Sequence, residues 1–119
     1  MKSILIVEDE NDIARVLQMR LKKEGYKTAI AMDGMTAVQT IHRDKPDLII
    51  LDLLLPGGDG LSVLKRIKMS AHTNMIPVIV LTSNQDLDYK NKVMEEMPDA
   101  YMTKPYDAQM LVGEIKRLI

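Results

Sequence analysis

Four short apolar runs, each ended by a polar or charged side chain, constrain the fold of this chain most strongly. They span residues 4–7, 48–51, 78–81 and 100–103, and they are followed by Glu8 and Asp9, by Asp52, by Thr82 and by Lys104. A short continuous apolar run is typical of a strand buried on both faces of a parallel sheet. Because all strands of such a sheet point the same way, ligands bind just beyond their carboxyl ends. We therefore expect three carboxylates, one hydroxyl and one ammonium group to meet in one crevice.

The order of the predicted elements indicates a doubly wound α/β fold. Five strand-like segments alternate with five amphipathic segments, and the polar segment 27–31 is typical of an edge strand. Strict alternation favours a parallel sheet with helices on both faces, and right-handed crossovers leave few topologies. We predict one domain over residues 1–119, with a five-stranded sheet in the flavodoxin-like order 2-1-3-4-5. In that order the first and third strands are neighbours, which brings Asp9 beside Asp52.

Capping residues and apolar spacing predict where the helices begin and which faces they bury. The predicted caps of the first, third and last helices are Asn11 or Asp12, Asp59 and Asp107, and the predicted inward stripe of the first helix is Ile13, Val16, Leu17 and Leu21. Gly25 is expected to end the first helix, and the fourth is expected over about residues 87–96. The chain has ten methionines and no Phe or Trp, so we expect methionines to fill gaps in the core.

Composition excludes several classes of function. At 119 residues the chain is one domain, long enough to bury roughly two thirds of its unfolded surface. Sixteen basic and seventeen acidic residues give a net charge of -1, so the chain lacks the excess of positive charge that is typical of proteins that bind nucleic acid or an anionic membrane. There is no cysteine for disulfides or thiolate chemistry. Residues 1–9 lack the long apolar region that is typical of a signal peptide, and no apolar stretch approaches the length of about 20 residues that a membrane span needs. We expect a cytoplasmic protein that either stands alone or is a fragment of a larger one, without an output domain in this sequence.

Asp52 is the candidate nucleophile. Taken alone, it could be a loop acid that follows a strand, but the turn-rich segment 56–60 holds the chain open beyond it. An aspartate at the mouth of a crevice can attack a phosphoryl group and form an acyl phosphate. Thr82 could be an ordinary β-branched strand residue or a hydrogen-bond donor to a phosphoryl oxygen. Lys104 could be a solvated lysine or, with Pro105 favouring an extended backbone, an anion partner above the strand ends.

Glu8 and Asp9 are candidate metal ligands, although they could also favour the dipole of the helix that follows them. Three converging carboxylates without a partner repel one another, which raises at least one pKa. A divalent cation relieves that repulsion, and hard oxygen ligands with room for waters suit Mg²⁺. The metal would also neutralise charge on an incoming phosphoryl group.

The segments ILIVEDE, LDLLLPGGDG, VIVLTS and YMTKPY, in this order and spacing, resemble the receiver domain of two-component response regulators, especially the stand-alone chemotaxis type. The resemblance covers essentially the whole chain. It implies that Asp52 is the phosphoacceptor and takes a phosphoryl group from a phosphohistidine of a sensor histidine kinase or a histidine phosphotransfer protein. Asp9 and Asp52 would ligate Mg²⁺ directly with the Leu54 backbone carbonyl, and Glu8 would act through a metal-bound water.

The same resemblance implies a switch. Lys104 would pair with the phosphoryl group, Thr82 would move toward it, and Tyr101 would turn inward as the threonine moves. This would reshape the face formed by the fourth helix, fifth strand and fifth helix, and so control a downstream protein or an output domain. Such a domain signals rather than acting as an enzyme: it promotes only its own phosphotransfer and dephosphorylation, as a monomer or a phosphorylation-dependent dimer. Leu54 and Asn84 flank the site and are expected to tune the phosphoryl lifetime.

Three other classes of function share parts of this pattern. A haloacid dehalogenase-type phosphatase needs a second acid two residues after the nucleophile, where this chain has Leu54. A flavodoxin needs Ser, Thr and Gly in its first loop to cradle a phosphate, whereas residues 8–12 are all acidic or amide side chains. A receiver-like module that binds a partner without phosphorylation remains open, although such modules usually lack the nucleophile, an acid or the lysine.

Overall fold

Strand and helix alternate five times in a computed structural model that describes residues 1–55, 60–83 and 86–119. The elements are β1 (Ser3–Val7), α1 (Asn11–Lys23), β2 (Lys27–Ala31), α2 (Gly34–Asp44), β3 (Leu48–Asp52), α3 (Gly60–Met69), β4 (Val78–Thr82), α4 (Leu87–Glu95), β5 (Ala100–Thr103) and α5 (Ala108–Leu118). All five strands form one parallel sheet in the order β2-β1-β3-β4-β5. The predicted fold class and strand order are therefore confirmed.

Helices cover both faces of the sheet and create two apolar cores. α2, α3 and α4 pack on the face that carries Leu5 and Val7, whereas α1 and α5 pack on the face that carries Ile4 and Ile6. Every residue of β3 and β4 is buried, which explains why these strands are continuous apolar runs. β2 lies at the edge and alternates exposed with partly buried residues. In the part of the chain that the structure describes, no helix combines the length and apolarity that a membrane span requires.

Helix boundaries follow the predictions in part. Asp107 caps α5 by accepting hydrogen bonds from the N–H groups of Gln109 and Met110, as predicted. Gly25 follows α1 with φ 96°, a backbone conformation that suits glycine. α4 ends at Glu95, within a residue of its predicted end. Asp59 and Asn84 lie outside the described residues, as does most of the turn-rich segment 56–60.

Three predictions about individual residues were wrong: the cap of α1, the burial of Val16, and the place of the methionines. The N-cap of α1 is Glu10 rather than Asn11 or Asp12, and its side chain makes no capping hydrogen bond. The buried face of α1 carries Ala14, Leu17 and Leu21, whereas Val16 is 68% exposed. Nine of the ten methionines are exposed, because Ile, Leu and Val side chains already fill both cores. The methionines are therefore surface residues and not core filler.

Candidate functional site

The carboxyl ends of β1 and β3 bring the predicted acidic side chains together. Val7 and Leu51 are register partners, so the residues that follow them emerge side by side. One carboxylate oxygen from each of Glu8, Asp9 and Asp52 lies within 4.8 Å of the others. Glu8 and Asp52 are buried, whereas Asp9 is more accessible. The convergence of acids expected from the strand order is thus present in the structure.

Lys104 reaches this cluster from the end of β5. Its Nζ lies 2.6 Å from Oε1 of Glu8 and 3.1 Å from Oδ2 of Asp52, and its side chain is 17% exposed. The backbone N–H of Lys104 donates to the carbonyl of Thr82 at 2.8 Å, which ties the lysine to the end of β4. The peptide bond between Lys104 and Pro105 is cis. Sequence reasoning assigned Lys104 to a phosphoryl group but missed its bond to Glu8, for which the only signal was the excess of acids over bases at the strand ends.

Asp52 is held in a defined orientation by groups on both of its oxygens. Oδ1 accepts a hydrogen bond from the backbone N–H of Leu54 at 3.1 Å, and Oδ2 faces Lys104. Behind it, the N–H of Gly60 donates to the carbonyl of Leu53, and a Cβ at position 60 would overlap the Leu53 backbone. The start of α3 therefore packs directly against the residue that follows Asp52.

Burial and an excess of negative charge perturb the site electrostatically. Burial raises the pKa of Glu8 to about 7, with Asp52 adding to the rise and the hydrogen bond from Lys104 opposing it. Burial would lower the pKa of Lys104, but its bonds to Glu8 and Asp52 and their charges outweigh this effect and raise it. One ammonium group faces three carboxyl groups, so the site favours a further cation.

The donor set fits a magnesium ion. Carboxylate oxygens from β1 and β3 point into one crevice, and Mg²⁺ prefers hard oxygen ligands while keeping several waters. Leu54, whose backbone carbonyl is the predicted third protein ligand, follows Asp52 by two residues and has a side chain exposed to solvent. Buried acids that hold more negative charge than Lys104 neutralises are the arrangement that a divalent cation stabilises.

Thr82 and Tyr101 lie on the same face of the sheet, in neighbouring strands. Tyr101 is the register partner of Val80, and Thr103 is the register partner of Thr82. Side chains alternate along a strand, so Thr82 projects to the same side as Val80, toward α4. Thr82 is fully buried, whereas Tyr101 is partly buried against the core under α2, α3 and α4. The two predicted switch residues are therefore diagonal neighbours across β4 and β5.

A cavity of about 500 Å³ lies at the opposite end of the sheet and takes no part in the acidic site. It is bounded by the beginnings of β1 and β2 and by the end of α2, where Lys27 and Arg43 contribute to its wall.

Comparisons with known proteins agree on the family. The family model of the response regulator receiver domain matches residues 4–116. The receiver domain of a signal transduction histidine kinase from Syntrophus aciditrophicus is 36% identical, with a TM-score of 0.94 over 99% of this chain and 89% of that one. A protein described as a proposed response regulator from Chloroflexus aurantiacus is 34% identical, with a TM-score of 0.91 over 98% of this chain and 96% of that one.

A third similar structure carries a metal. The receiver domain of a sensor histidine kinase from Pseudomonas aeruginosa is 28% identical, with a TM-score of 0.90 over 98% of this chain and 96% of that one. That structure has a magnesium ion coordinated in its active-site cleft. Because the family model spans nearly the whole sequence and the fold agrees throughout, this chain belongs to the response regulator receiver domains of two-component systems.

Proposed function

We propose that this receiver domain accepts a phosphoryl group on Asp52 from a phosphohistidine of a sensor histidine kinase or a histidine phosphotransfer protein, in a Mg²⁺-dependent reaction. The observation that carries the proposal is the environment of Asp52. Its carboxylate is buried, oriented by the Leu54 N–H and by Lys104, and adjacent to two further acids. A nucleophile for phosphoryl transfer needs this orientation together with nearby positive charge.

The chemistry is a simple displacement at phosphorus. An oxygen of Asp52 forms a bond to phosphorus as the bond between phosphorus and the histidine nitrogen breaks, and the imidazole keeps the electron pair. The product is an acyl phosphate on Asp52 and a free histidine on the donor protein. In this proposal Asp9, Asp52 and the Leu54 carbonyl hold the metal directly, and Glu8 acts through a bound water. The ion, when bound, offsets the negative charge of the phosphoryl oxygens.

Lys104 has a second role after transfer. In the unphosphorylated structure its ammonium group hydrogen-bonds to Glu8 and Asp52. When the phosphoryl group is present, the ammonium group pairs with a phosphoryl oxygen. Thr82 hydrogen-bonds another phosphoryl oxygen, and Tyr101 follows it inward along the shared face of the sheet. The face formed by α4, β5 and α5 then changes shape and alters the binding of a downstream protein or output domain. The new anion thereby biases a two-state element.

Specific residues argue against two rival functions. A phosphatase of the haloacid dehalogenase type would need an acid where this chain has Leu54, whose side chain is 52% exposed and apolar. A partner-binding module without phosphorylation has no need to keep Asp52, Lys104 and the other acids in contact. A cytoplasmic location and a monomer that dimerises on phosphorylation stay predictions, as does the tuning of phosphoryl lifetime by Leu54 and Asn84.

Mass spectrometry of the intact protein tests the proposal. The protein is incubated with a small-molecule phosphodonor, with and without Mg²⁺, beside the variants Asp52→Asn and Asp33→Asn. We expect a single phosphoryl adduct that requires Mg²⁺, disappears in Asp52→Asn and persists in Asp33→Asn, because Asp33 caps α2 outside the cluster.

Two results would contradict the proposal. An adduct that survives in Asp52→Asn would move the nucleophile to another residue. No adduct, under conditions that label a known receiver domain, would favour the module that acts without phosphorylation.

A further inference from the structure

A lysine on α4 lies against the ring of the predicted switch tyrosine. The Nζ atom of Lys90 is 5.3 Å from the centroid of the Tyr101 ring, within the range of a cation–π contact. Lys90 is exposed on α4, and Tyr101 is partly buried on β5. The contact therefore joins two of the three elements that form the proposed output face.

The surroundings of the ring leave it room to move. A cleft of about 350 Å³ is lined by Leu87, Lys90, Tyr101 and Thr103, so one side of the ring borders open space. α4 contributes Val93 to the core, whereas Leu87 is 66% exposed. Tyr89 also packs against this core, and the contact between Lys90 and Tyr101 adds a further tie between the first half of α4 and the sheet.

We propose that Lys90 is a positioning residue that holds Tyr101 in its unphosphorylated position and so opposes the switch. The inference rests on the proposed function, because it assumes that Tyr101 turns toward Thr82 when Asp52 is phosphorylated. Thr82 lies toward the carboxyl end of the sheet, diagonal to Tyr101. A ring that turns toward it withdraws its face from the ammonium of Lys90.

The size of the effect follows from the exposure of the pair. A cation–π contact at an exposed site shifts a two-state equilibrium by about two- to fivefold. Removing the charge of Lys90 therefore favours the switched state by about that factor, and a phosphoryl mimic that binds this state binds correspondingly more tightly. Arginine retains the cation and stacks well on aromatic rings, so Lys90→Arg preserves the restraint.

NMR spectroscopy tests the contact itself. A methylene group over the face of an aromatic ring is shielded, so in protein with ¹³C-labelled lysine we expect the ε protons of Lys90 to resonate upfield of those of Lys92. The shift should vanish in Tyr101→Leu. A Lys90 signal at the position of the other exposed lysines, unchanged in Tyr101→Leu, would overturn the inference whether or not the protein is phosphorylated.

Affinity for beryllium fluoride, a tetrahedral mimic of the phosphoryl group, tests the consequence in the presence of Mg²⁺. We expect Lys90→Gln to bind about two- to fivefold more tightly than the unsubstituted protein, and Lys90→Arg to bind as the unsubstituted protein does. The matched control is Lys92→Gln, which removes an equal charge from the same helix and leaves Tyr101 untouched. Equal affinities for Lys90→Gln and Lys92→Gln would overturn the positioning role.

The two experiments separate the failure of this inference from that of the proposed function. An unsubstituted protein that fails to bind the mimic would refute the proposed function, and with it any part for Lys90 in switching. A protein that binds the mimic, with no effect of Lys90→Gln, would leave Asp52 as the acceptor and refute the inference alone.

Discussion

Repulsion within the acidic cluster should lower the free energy of unfolding when no metal is bound, and Asp52→Asn should therefore stabilise the protein. One oxygen of each of Glu8, Asp9 and Asp52 lies within 4.8 Å of the others. At an effective dielectric constant of about 20, two unit charges at this upper limit of separation repel by about 3.5 kcal/mol, so the two other acids repel Asp52 by about 7 kcal/mol or more. Its attraction to Lys104 at 3.1 Å is about 5.4 kcal/mol on the same scale. Neutralising Asp52 thus relieves about 1.5 kcal/mol.

Thermal unfolding in the presence of a chelator at pH 8 measures this difference. The pKa of Glu8 is raised to about 7, so at pH 8 its carboxyl group is mostly ionised and the repulsion is near its full size. For a domain of this length we expect the melting temperature of Asp52→Asn to rise by about 5 °C. Glu95→Gln is the matched control: it removes one negative charge from the exposed end of α4. Its effect should stay within about 0.5 kcal/mol.

Adding Mg²⁺ should reverse the order of stability. Saturating a site at one hundred times its dissociation constant stabilises a folded protein by about 2.7 kcal/mol. The unsubstituted protein should gain this amount, and Asp52→Asn, which lacks one ligand charge, should gain much less. A lower melting temperature for Asp52→Asn without metal, beside an unchanged control, would refute the reasoning. It would mean that the attraction between Asp52 and Lys104 exceeds the repulsion among the acids.

Three further predictions concern stability and are measured by urea unfolding. Because burial raises the pKa of Glu8 from 4.5 to about 7, the folded state holds this proton more tightly than the unfolded state. Stability without metal should therefore fall by up to about 3 kcal/mol as the pH rises from 5 to 8, and a rise over this range would contradict the assignment. The buried hydroxyl of Thr28 has no hydrogen-bond partner among the described residues, so Thr28→Val should stabilise by about 1 kcal/mol, and a loss would show that the hydroxyl is bonded. Gly60→Ala should destabilise by about 1–3 kcal/mol, since its Cβ would overlap the backbone of Leu53. The control Gly113→Ala, whose Cβ meets open space in α5, should stabilise by up to about 1 kcal/mol, and equal effects of the two would refute the overlap.

The strand order and the place of the site could be predicted because both depend on the same property of the strands. β3 and β4 are buried along their whole length, so both sequences are continuously apolar until their last residue. In a parallel sheet those ends lie at one edge, whichever helices connect them. The polar residues that end these strands, Asp52 and Thr82, therefore lie at the edge of the sheet where the candidate site is found.

Helix faces were harder to predict, because a helix has several apolar positions and only one inward direction. In α1 the apolar spacing admitted Val16, but the face that packs on the sheet carries Ala14 and leaves Val16 exposed. The prediction that methionines fill the core was wrong for a related reason. Their side chains suit a core, but whether a core needs them depends on how completely Ile, Leu and Val fill it, and that is a property of the packed structure.

Pairing inside the site could not be predicted either, because it depends on a competition among three acids for one lysine. The sequence places Lys104 at the end of β5, but the distance of 2.6 Å to Glu8 against 3.1 Å to Asp52 is a result of three-dimensional packing. The preference matters for function. A lysine held chiefly by Glu8 stays close to Asp52 without neutralising it completely. In the proposed reaction the carboxylate would thereby keep its nucleophilic charge, and the ammonium group would be close enough to pair with the phosphoryl oxygens.

Stability and reactivity are separated along each strand of this domain. The apolar residues of the sheet are buried whether or not a metal is bound, so the free energy of folding comes mostly from them. The acidic residues at the ends of β1 and β3 can then hold an unbalanced charge, at a cost of about 1–2 kcal/mol, without unfolding the protein. In the proposed function this imbalance favours the binding of Mg²⁺, whose positive charge would then offset the negative charge of an incoming phosphoryl group. A site whose charges were already balanced would gain little from the cation.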